Sequence, residues 1–194
     1  DALWEKNPGI TEEEVKRRRL GDAKRAAEAL GVTDLEFLDW GDHMLTVDAD
    51  RVMQITRIIR VFRPRIVLTQ FKTDLINYDH PETAVTVFKA ARCANVSGVF
   101  PEMPKVPLPQ IYMYEPSRPE FFGFDPNVFI DISETIHEKC AAMEVGAQAQ
   151  AYLIEKYKIR AEYRAMDAVM FNGGKKLEYA EAFVRYYPEV REMF

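Results

Sequence analysis

Polar side chains that could carry metal or acid-base chemistry cluster between Asp74 and His80. Asp74, Asn77, Asp79 and His80 place carboxylates, an amide and an imidazole within one short stretch. A neutral imidazole beside a carboxylate is a common component of metal sites, in which the acid orients the ring or acts on bound water. One histidine is only one ligand, so a second interpretation stays open. In it, Asp79 caps a helix that begins at Pro81, and His80 makes an ordinary hydrogen bond.

An apolar run directly precedes this polar stretch. Residues 65–69 read R-I-V-L-T, a β-branched and almost uncharged sequence that predicts a strand buried on both faces of a parallel sheet. Ligands of such sheets bind at the carboxyl ends of the strands. We therefore expect the loop from Gln70 to His80 to hold the site. A structure in which residues 65–70 were helical, or lay at a sheet edge, would contradict this placement.

Helix signals surround the strand and the loop. The sequence T-E-E-E from Thr11 is typical of a capped helix start, and the helix is expected to end at Gly31. Asp48 is expected to cap a second helix, which ends before Pro64. A third helix is expected from about residue 81 to residue 95.

The order of these elements indicates the fold class. Strands are predicted at residues 35–40, 65–70, 110–114 and 128–132. The predicted fold is α/β, a three-layer Rossmann-like sandwich whose mostly parallel sheet carries helices on both faces. Since no internal repeat or linker is visible, residues 1–194 are predicted to form a single domain.

Several segments carry the motifs of a known family. R-P-R-I-V-L-T followed by D-L-I-N-Y-D-H-P, the earlier R-R-R-L-G-D-A-K-R-A-A-E-A-L-G, and the later F-I-D-I-S-E-T-I-H-E-K are the segments concerned. They resemble the LmbE/PIG-L family, which contains zinc-dependent N-acetylglucosaminyl deacetylases and their relatives. The resemblance implies that His80 is a zinc ligand, with one zinc ion per subunit. It also implies that Arg19, in the earlier segment beside Asp22, contacts anionic or hydroxyl groups of the substrate.

One departure from the deacetylase pattern concerns the polar loop. Typical deacetylases read H-P-D-H there, and their first histidine helps to stabilise a tetrahedral oxyanion, whereas this chain has Asn77 at that place. The forms L-W-x-K, N-Y-D-H-P, Y-x-Y-E-P and Y-A-E resemble the 4-oxalomesaconate hydratase branch instead. That branch is a group of metal-dependent hydro-lyases that add water across a carbon–carbon double bond.

The resemblance assigns roles to the site residues. Arg19 and Asn77 are expected to bind oxygens of a small, unsaturated and anionic polycarboxylate. Asp79 is expected to orient His80 or to share in proton transfer, and Glu115 is a second acid-base candidate. Two alternatives remain open, namely a deacetylase of amino-sugar conjugates and a metal-free, non-catalytic relative.

A second departure is the lack of the family's first metal motif. The family supplies two further zinc ligands from a sequence of the H-P-D-D type, which does not occur in residues 1–194. The other histidines are His43 and His137, and neither is predicted to be a ligand. We therefore expect this sequence to be a carboxyl-terminal portion of the family domain, with the first β-α-β unit missing.

Composition narrows the class of protein further. A net charge of -5 argues against a nucleic-acid-binding protein, because no excess of basic residues is present to neutralise phosphates. No apolar run reaches the roughly 20 residues that span a bilayer, so no membrane partner is expected. Cys93 and Cys140 are isolated, which favours a cytoplasmic location. The family resemblance implies a homo-oligomer.

Overall fold

A computed structural model describes residues 6–42, 44–146 and 152–190 of the chain. His43 lies outside these ranges, so its predicted absence from the site stays a prediction. The chain divides into two compact units: a first unit of residues 1–38 and 129–181, and a second unit of residues 39–128 and 182–194. The single domain expected for residues 1–194 likewise stays a prediction.

Helices make up most of the first unit. Helix α1 (Glu12–Ala29) begins where the sequence predicts, because the hydroxyl of Thr11 accepts a hydrogen bond from the backbone N–H of Glu14 at 3.2 Å. Beyond its end, Gly31 has a φ of 68°, a left-handed conformation that suits glycine. Two later helices, Ile136–Gly146 and Tyr152–Val169, pack against each other, and the former also packs against α1.

The second unit contains the predicted site loop and the elements that hold it. Helix α2 (Ala49–Phe62) leads into strand β1 (Ile66–Thr69), and helix α3 (Asp79–Ala94) follows the loop. Strand β2 (Gln110–Tyr114) comes next, before a short 3₁₀ helix at Pro119–Phe121. The core of this unit forms where α2 and α3 pack together. Its buried side chains come from both helices, from β2 and from the segment before β2, namely Val52, Ile59, Ala90, Ala91, Ala94, Val106 and Ile111.

Four strands form one sheet in the order β1-β2-β4-β3, where β3 is Val128–Asp131 and β4 is Ala180–Arg185. Strands β1 and β2 are parallel, with Thr69 opposite Met113. Strand β4 runs antiparallel to β2, so the described sheet is mixed, and the expected mostly parallel sheet stays a prediction. In a parallel pair the carboxyl ends of both strands lie at the same end of the sheet. The segments after Thr69 and after Tyr114 therefore leave the sheet side by side.

Two strand predictions need correction. Residues 35–40 form no strand, because Asp39 has a left-handed φ of 52°, which interrupts the extended backbone that a strand requires. The prediction that the strand at 65–70 is interior and buried on both faces is also wrong. Strand β1 lies at the edge of the described sheet, where Ile66 and Leu68 are 58% and 59% exposed. The condition stated above is thus met within the described residues, so the position of β1 no longer supports placing the site in the loop from Gln70 to His80. The loop is kept as a candidate site on the contacts of its own side chains.

Within the described ranges, no helix combines the length and the apolar character that crossing a bilayer requires.

The start of α2 provides a local test of this fold. A carboxylate oxygen of Asp48 accepts a hydrogen bond from the backbone N–H of Arg51 at 2.8 Å, as a capping residue does. We expect Asp48→Ala to lower the free energy of unfolding by about 1 kcal/mol, measured by urea denaturation. Asp50→Ala is the control, because Asp50 lies in the first turn but is not the capping residue. Equal losses in the two variants would contradict the capping role.

Candidate metal and substrate site

The loop after β1 turns directly into α3. The helix begins at Asp79, earlier than the predicted start at Pro81, and the residue before it, Tyr78, makes no side-chain capping bond. The side-chain oxygen of Asn77 accepts a hydrogen bond from the backbone N–H of Asp79 at 3.0 Å. Asp79 is thus the first helical residue and not its cap, so the capping interpretation of Asp79 is wrong.

Asp74 lies at the centre of the loop and is almost fully buried, with 2% of its surface exposed. One carboxylate oxygen, Oδ1, accepts hydrogen bonds from the backbone N–H groups of Ile76 at 2.9 Å and of Asn77 at 3.1 Å. The other, Oδ2, lies 2.8 Å from Nδ1 of His80. Both oxygens are therefore engaged, and the carboxylate connects the loop backbone to the imidazole.

These hydrogen bonds decide the charge of Asp74. Burial raises the pKa of the Asp74 carboxyl, but the N–H of Ile76, the ring of His80 and the N–H of Asn77 outweigh burial and bring the pKa below its ordinary value. Asp74 is accordingly ionised at neutral pH, and an ionised carboxylate only accepts hydrogen bonds.

The geometry of His80 matches that of a metal ligand. Because its Nδ1 faces an acceptor, the ring hydrogen belongs on Nδ1 and the lone pair on Nε2. The side chain is 30% exposed, so it can be reached from solvent. A ligating histidine whose second ring nitrogen donates to a carboxylate is the usual arrangement in zinc sites. His80 therefore fits the position of one zinc ligand.

The Asp79 carboxylate contacts the segment before α2, and its expected part in orienting His80 stays a prediction. The carboxylate accepts a hydrogen bond from the backbone N–H of Leu45 at 3.0 Å, and Glu82, one helical turn later, accepts from the N–H of Val47 at 3.0 Å. These acids hold the extended segment before α2 against the start of α3. The contact with the imidazole is made by Asp74, and a part for Asp79 in proton transfer stays a prediction.

The remaining predicted residues of the second unit lie at the same end of the strands. Asn77 is half-buried and ends the loop, as described above. Glu115 is half-buried and follows β2 directly. It lies at the carboxyl end of the parallel strands, where the loop after β1 also begins. At the end of β1 the hydroxyl of Thr69 is buried without a hydrogen-bond partner among the described residues. Polar residues thus follow both strands at their carboxyl ends.

Arg19 lies in the first unit, on α1, whereas the other predicted site residues belong to the second. Its guanidinium Nη1 is 4.0 Å from the Asp22 carboxylate, one helical turn away. Its predicted contact with substrate stays a prediction.

Within residues 6–42, 44–146 and 152–190, no group of three or more His, Cys, Asp or Glu side chains has an arrangement that could hold a metal ion. His80 is thus a single candidate ligand in the described residues. His137 is no second candidate, because its side chain is 75% exposed and lies 3.2 Å from the carboxylate of the adjacent Glu138.

Sequence reasoning included Asp74 in the polar cluster but gave it no role. The pattern Asp74-x-Ile76-Asn77 does carry a signal, because Asp side chains often bond backbone N–H groups two or three residues later. That pattern predicts a tight turn. The turn is what brings the second oxygen of Asp74 within reach of His80.

Comparisons with known proteins identify the family of the chain. The family described as PIG-L: GlcNAc-PI de-N-acetylase matches residues 2–91. A 4-oxalmesaconate hydratase of Pseudomonas putida is 33% identical over 193 residues, which cover 98% of this chain and 74% of that protein. A diacetylchitobiose deacetylase of Thermococcus kodakarensis is 27% identical over 186 residues, which cover 93% and 67% of the two chains.

Among solved structures, the 4-carboxy-2-hydroxymuconate hydratase of Pseudomonas putida KT2440 superimposes with a TM-score of 0.93. The two chains are 30% identical, and the match covers 100% of this chain and 81% of the other. The mixed α/β fold described above is therefore the fold of that hydratase.

Proposed function

The chain belongs to the LmbE/PIG-L family, and from that premise we propose that it is a zinc-dependent hydratase acting on a small unsaturated polycarboxylate. The observation that carries the proposal is the hydrogen bond between the buried Asp74 carboxylate and Nδ1 of His80. It leaves the lone pair of Nε2 available to a metal ion, in the loop to which the family resemblance assigns metal binding. The similarity to a hydratase over nearly the whole chain supports the reaction class.

Each candidate residue has its own role in the proposed reaction. His80 would hold the metal ion through Nε2, and Asp74 would orient the His80 ring. When bound, zinc supplies Lewis-acid chemistry, because it polarises a carbonyl or carboxylate oxygen and acidifies water. Asn77 binds a substrate oxygen, and its amide, unlike the histidine of deacetylases, neither gains nor loses a proton near neutral pH. Arg19 grips a substrate carboxylate, and Glu115 and Asp79 are the candidates for proton transfer.

The finer description of the fold is part of the same proposal. In it the sheet is the middle layer of a Rossmann-like three-layer sandwich, and a strand of the family's first β-α-β unit pairs with the open edge of β1. The exposed Ile66 and Leu68 support this, because a neighbouring strand and its helix would cover apolar side chains that are now in contact with water. The remaining zinc ligands would come from that unit.

Deacetylation of an amino-sugar conjugate is the second candidate function. It is favoured by the description of the matching family and by the similarity to a diacetylchitobiose deacetylase. Asn77 argues against deacetylation. Deacetylases have a histidine at this place that stabilises an oxyanion, whereas this chain has an uncharged amide. A metal-free, non-catalytic relative is the third candidate, since the described residues contain one candidate ligand and no larger cluster.

Two substrates separate these functions. We expect the metal-loaded, full-length protein to hydrate 4-oxalomesaconate, followed by the loss of absorbance of its conjugated double bond, and to release no acetate from an N-acetylglucosamine conjugate. Turnover of the conjugate alone would reverse the order of the first two candidates. A protein that binds no zinc at micromolar concentration and turns over neither compound would support the non-catalytic relative.

A further inference from the structure

We infer that Asp74 is a positioning residue whose carboxylate fixes the imidazole of His80 in the tautomer that carries its hydrogen on Nδ1. This keeps the lone pair on Nε2, the nitrogen that faces away from Asp74. Only the binding of a metal ion by Nε2 rests on the proposed function. The tautomer itself follows from contacts within the second unit.

The first step of the argument is that Asp74 cannot easily move. Its Oδ1 accepts from two consecutive backbone N–H groups, those of Ile76 and Asn77, which fixes the side-chain torsions as well as the turn. The residue is 2% exposed, so water does not compete for its oxygens. The remaining oxygen, Oδ2, is therefore held at one place in the loop, and the His80 ring lies 2.8 Å from it.

The second step concerns the direction of the hydrogen bond. A carboxylate oxygen accepts hydrogen bonds, so Nδ1 of His80, 2.8 Å from Oδ2, has to donate. Among the described residues, the imidazole is the hydrogen-bond partner of Oδ2. A turn alone needs only Oδ1. The second oxygen, Oδ2, is buried and lies against the half-exposed ring of His80. Its role is to orient that ring.

Replacing Asp74 by asparagine reverses the hydrogen bond without changing the shape of the side chain. In Asp74→Asn the amide oxygen stays with the two N–H groups, because only an acceptor satisfies them. The amide NH₂ then occupies the place of Oδ2 and donates to Nδ1, which has to accept, so the ring hydrogen moves to Nε2. The same change beside the histidine of a serine protease leaves the geometry intact and gives the wrong tautomer.

The test uses ¹⁵N NMR of the metal-free, full-length protein with labelled histidine, at pH 8, which is above the pKa of about 6.5 of histidine in model peptides. The signals of His80 are identified by their loss in His80→Ala. We expect the wild-type protein to show the hydrogen on Nδ1 and Asp74→Asn to show it on Nε2. Asp131→Asn is the matched control, because Asp131 also accepts from a backbone N–H two residues later, that of Ser133 at 3.0 Å, and its side-chain partner is the Ser133 hydroxyl.

Zinc affinity provides a second readout. If Nε2 is a metal donor, Asp74→Asn should weaken zinc binding by about 10–100-fold, the usual cost of losing the partner of a ligating histidine. A wild-type His80 with its hydrogen on Nε2 would overturn the inference, and this measurement needs no variant. An unchanged tautomer in a folded Asp74→Asn protein would overturn it as well. A changed tautomer with unchanged zinc affinity would uphold the positioning role of Asp74 and instead remove His80 from the proposed metal site.

Discussion

His80→Ala is expected to stay folded and to lose most of its zinc and nearly all of its activity. The substitution removes a nitrogen donor, and zinc sites in enzymes rely on about three protein ligands. Loss of an outer partner alone costs about 10–100-fold in affinity or activity, so loss of the ligand itself should lower activity by more than about 100-fold. Zinc content by elemental analysis and turnover of 4-oxalomesaconate by absorbance measure the two effects.

The stability of this variant separates the metal site from a purely structural role. Removal of the imidazole leaves Oδ2 of the buried Asp74 without its partner, which costs about 1–3 kcal/mol. That is less than the roughly 5–15 kcal/mol by which a domain is usually stable, so the circular dichroism spectrum should not change. His137→Ala is the control and should keep its zinc, because His137 is largely exposed. A His80→Ala protein with one zinc per chain and full turnover would end the metal-site interpretation.

Arg60→Ala is expected to cause the largest loss of stability among the substitutions considered. Arg60 lies on α2, is 3% exposed, and donates hydrogen bonds to the backbone oxygens of Val96 at 2.6 Å, Met103 at 2.6 Å and Phe100 at 3.3 Å. One side chain thus holds an irregular segment that has no helix or strand of its own. Phe100 in that segment also has a left-handed φ of 47°, which a non-glycine residue adopts only when its surroundings enforce it.

The expected loss for Arg60→Ala is about 3–5 kcal/mol in the free energy of unfolding, measured by urea denaturation. The variant leaves several carbonyl oxygens without a donor and creates a cavity between α2 and the segment. Proteolysis between residues 96 and 104 should become faster, because the segment loses its anchor.

Arg57 provides the matched control, one turn earlier on the same helix. Its side chain is 56% exposed and lies 3.9 Å from the Glu102 carboxylate, so this ion pair is weak. Arg57→Ala should change stability by less than about 1 kcal/mol. If both arginine variants lose the same free energy, burial of the Arg60 guanidinium does not anchor the segment.

Local chemistry explains which elements could be predicted from the sequence. The starts of α1 and α2 were predicted correctly, because Thr11 and Asp48 act on backbone groups only three residues away. The end of α2 before Pro64 follows in the same way, from a residue that excludes helix at its neighbour. Such contacts are encoded within a few residues, so they do not depend on the rest of the fold.

Strands were harder to predict, because a strand depends on its partner. The β-branched run of β1 was recognised, but its place at the edge of the described sheet is set by residues distant in sequence. Residues 35–40 have the composition of a strand and still form none, since Asp39 turns the backbone. The antiparallel β4 at the far end of the chain likewise gave no signal that distinguished strand from helix.

The candidate site also combines a local sequence signal with a contact that depends on how the chain folds. His80 is predicted from its motif, which is contiguous in sequence. The partner of His80 was assigned to the adjacent Asp79, whereas the structure assigns it to Asp74, because the turn after Asp74 folds the chain back on itself. Adjacent residues at the start of a helix point in different directions, and one oxygen of Asp79 accepts a hydrogen bond from the N–H of Leu45.

The most direct test of the account is the position of zinc in the full-length protein. Crystals grown with zinc and measured at its absorption edge should show an anomalous peak about 2.0–2.1 Å from Nε2 of His80, the usual Zn–N distance. Nδ1 should remain bonded to the carboxylate of Asp74. A peak coordinated by other residues with His80 uninvolved, or coordinated by Nδ1, would contradict the account.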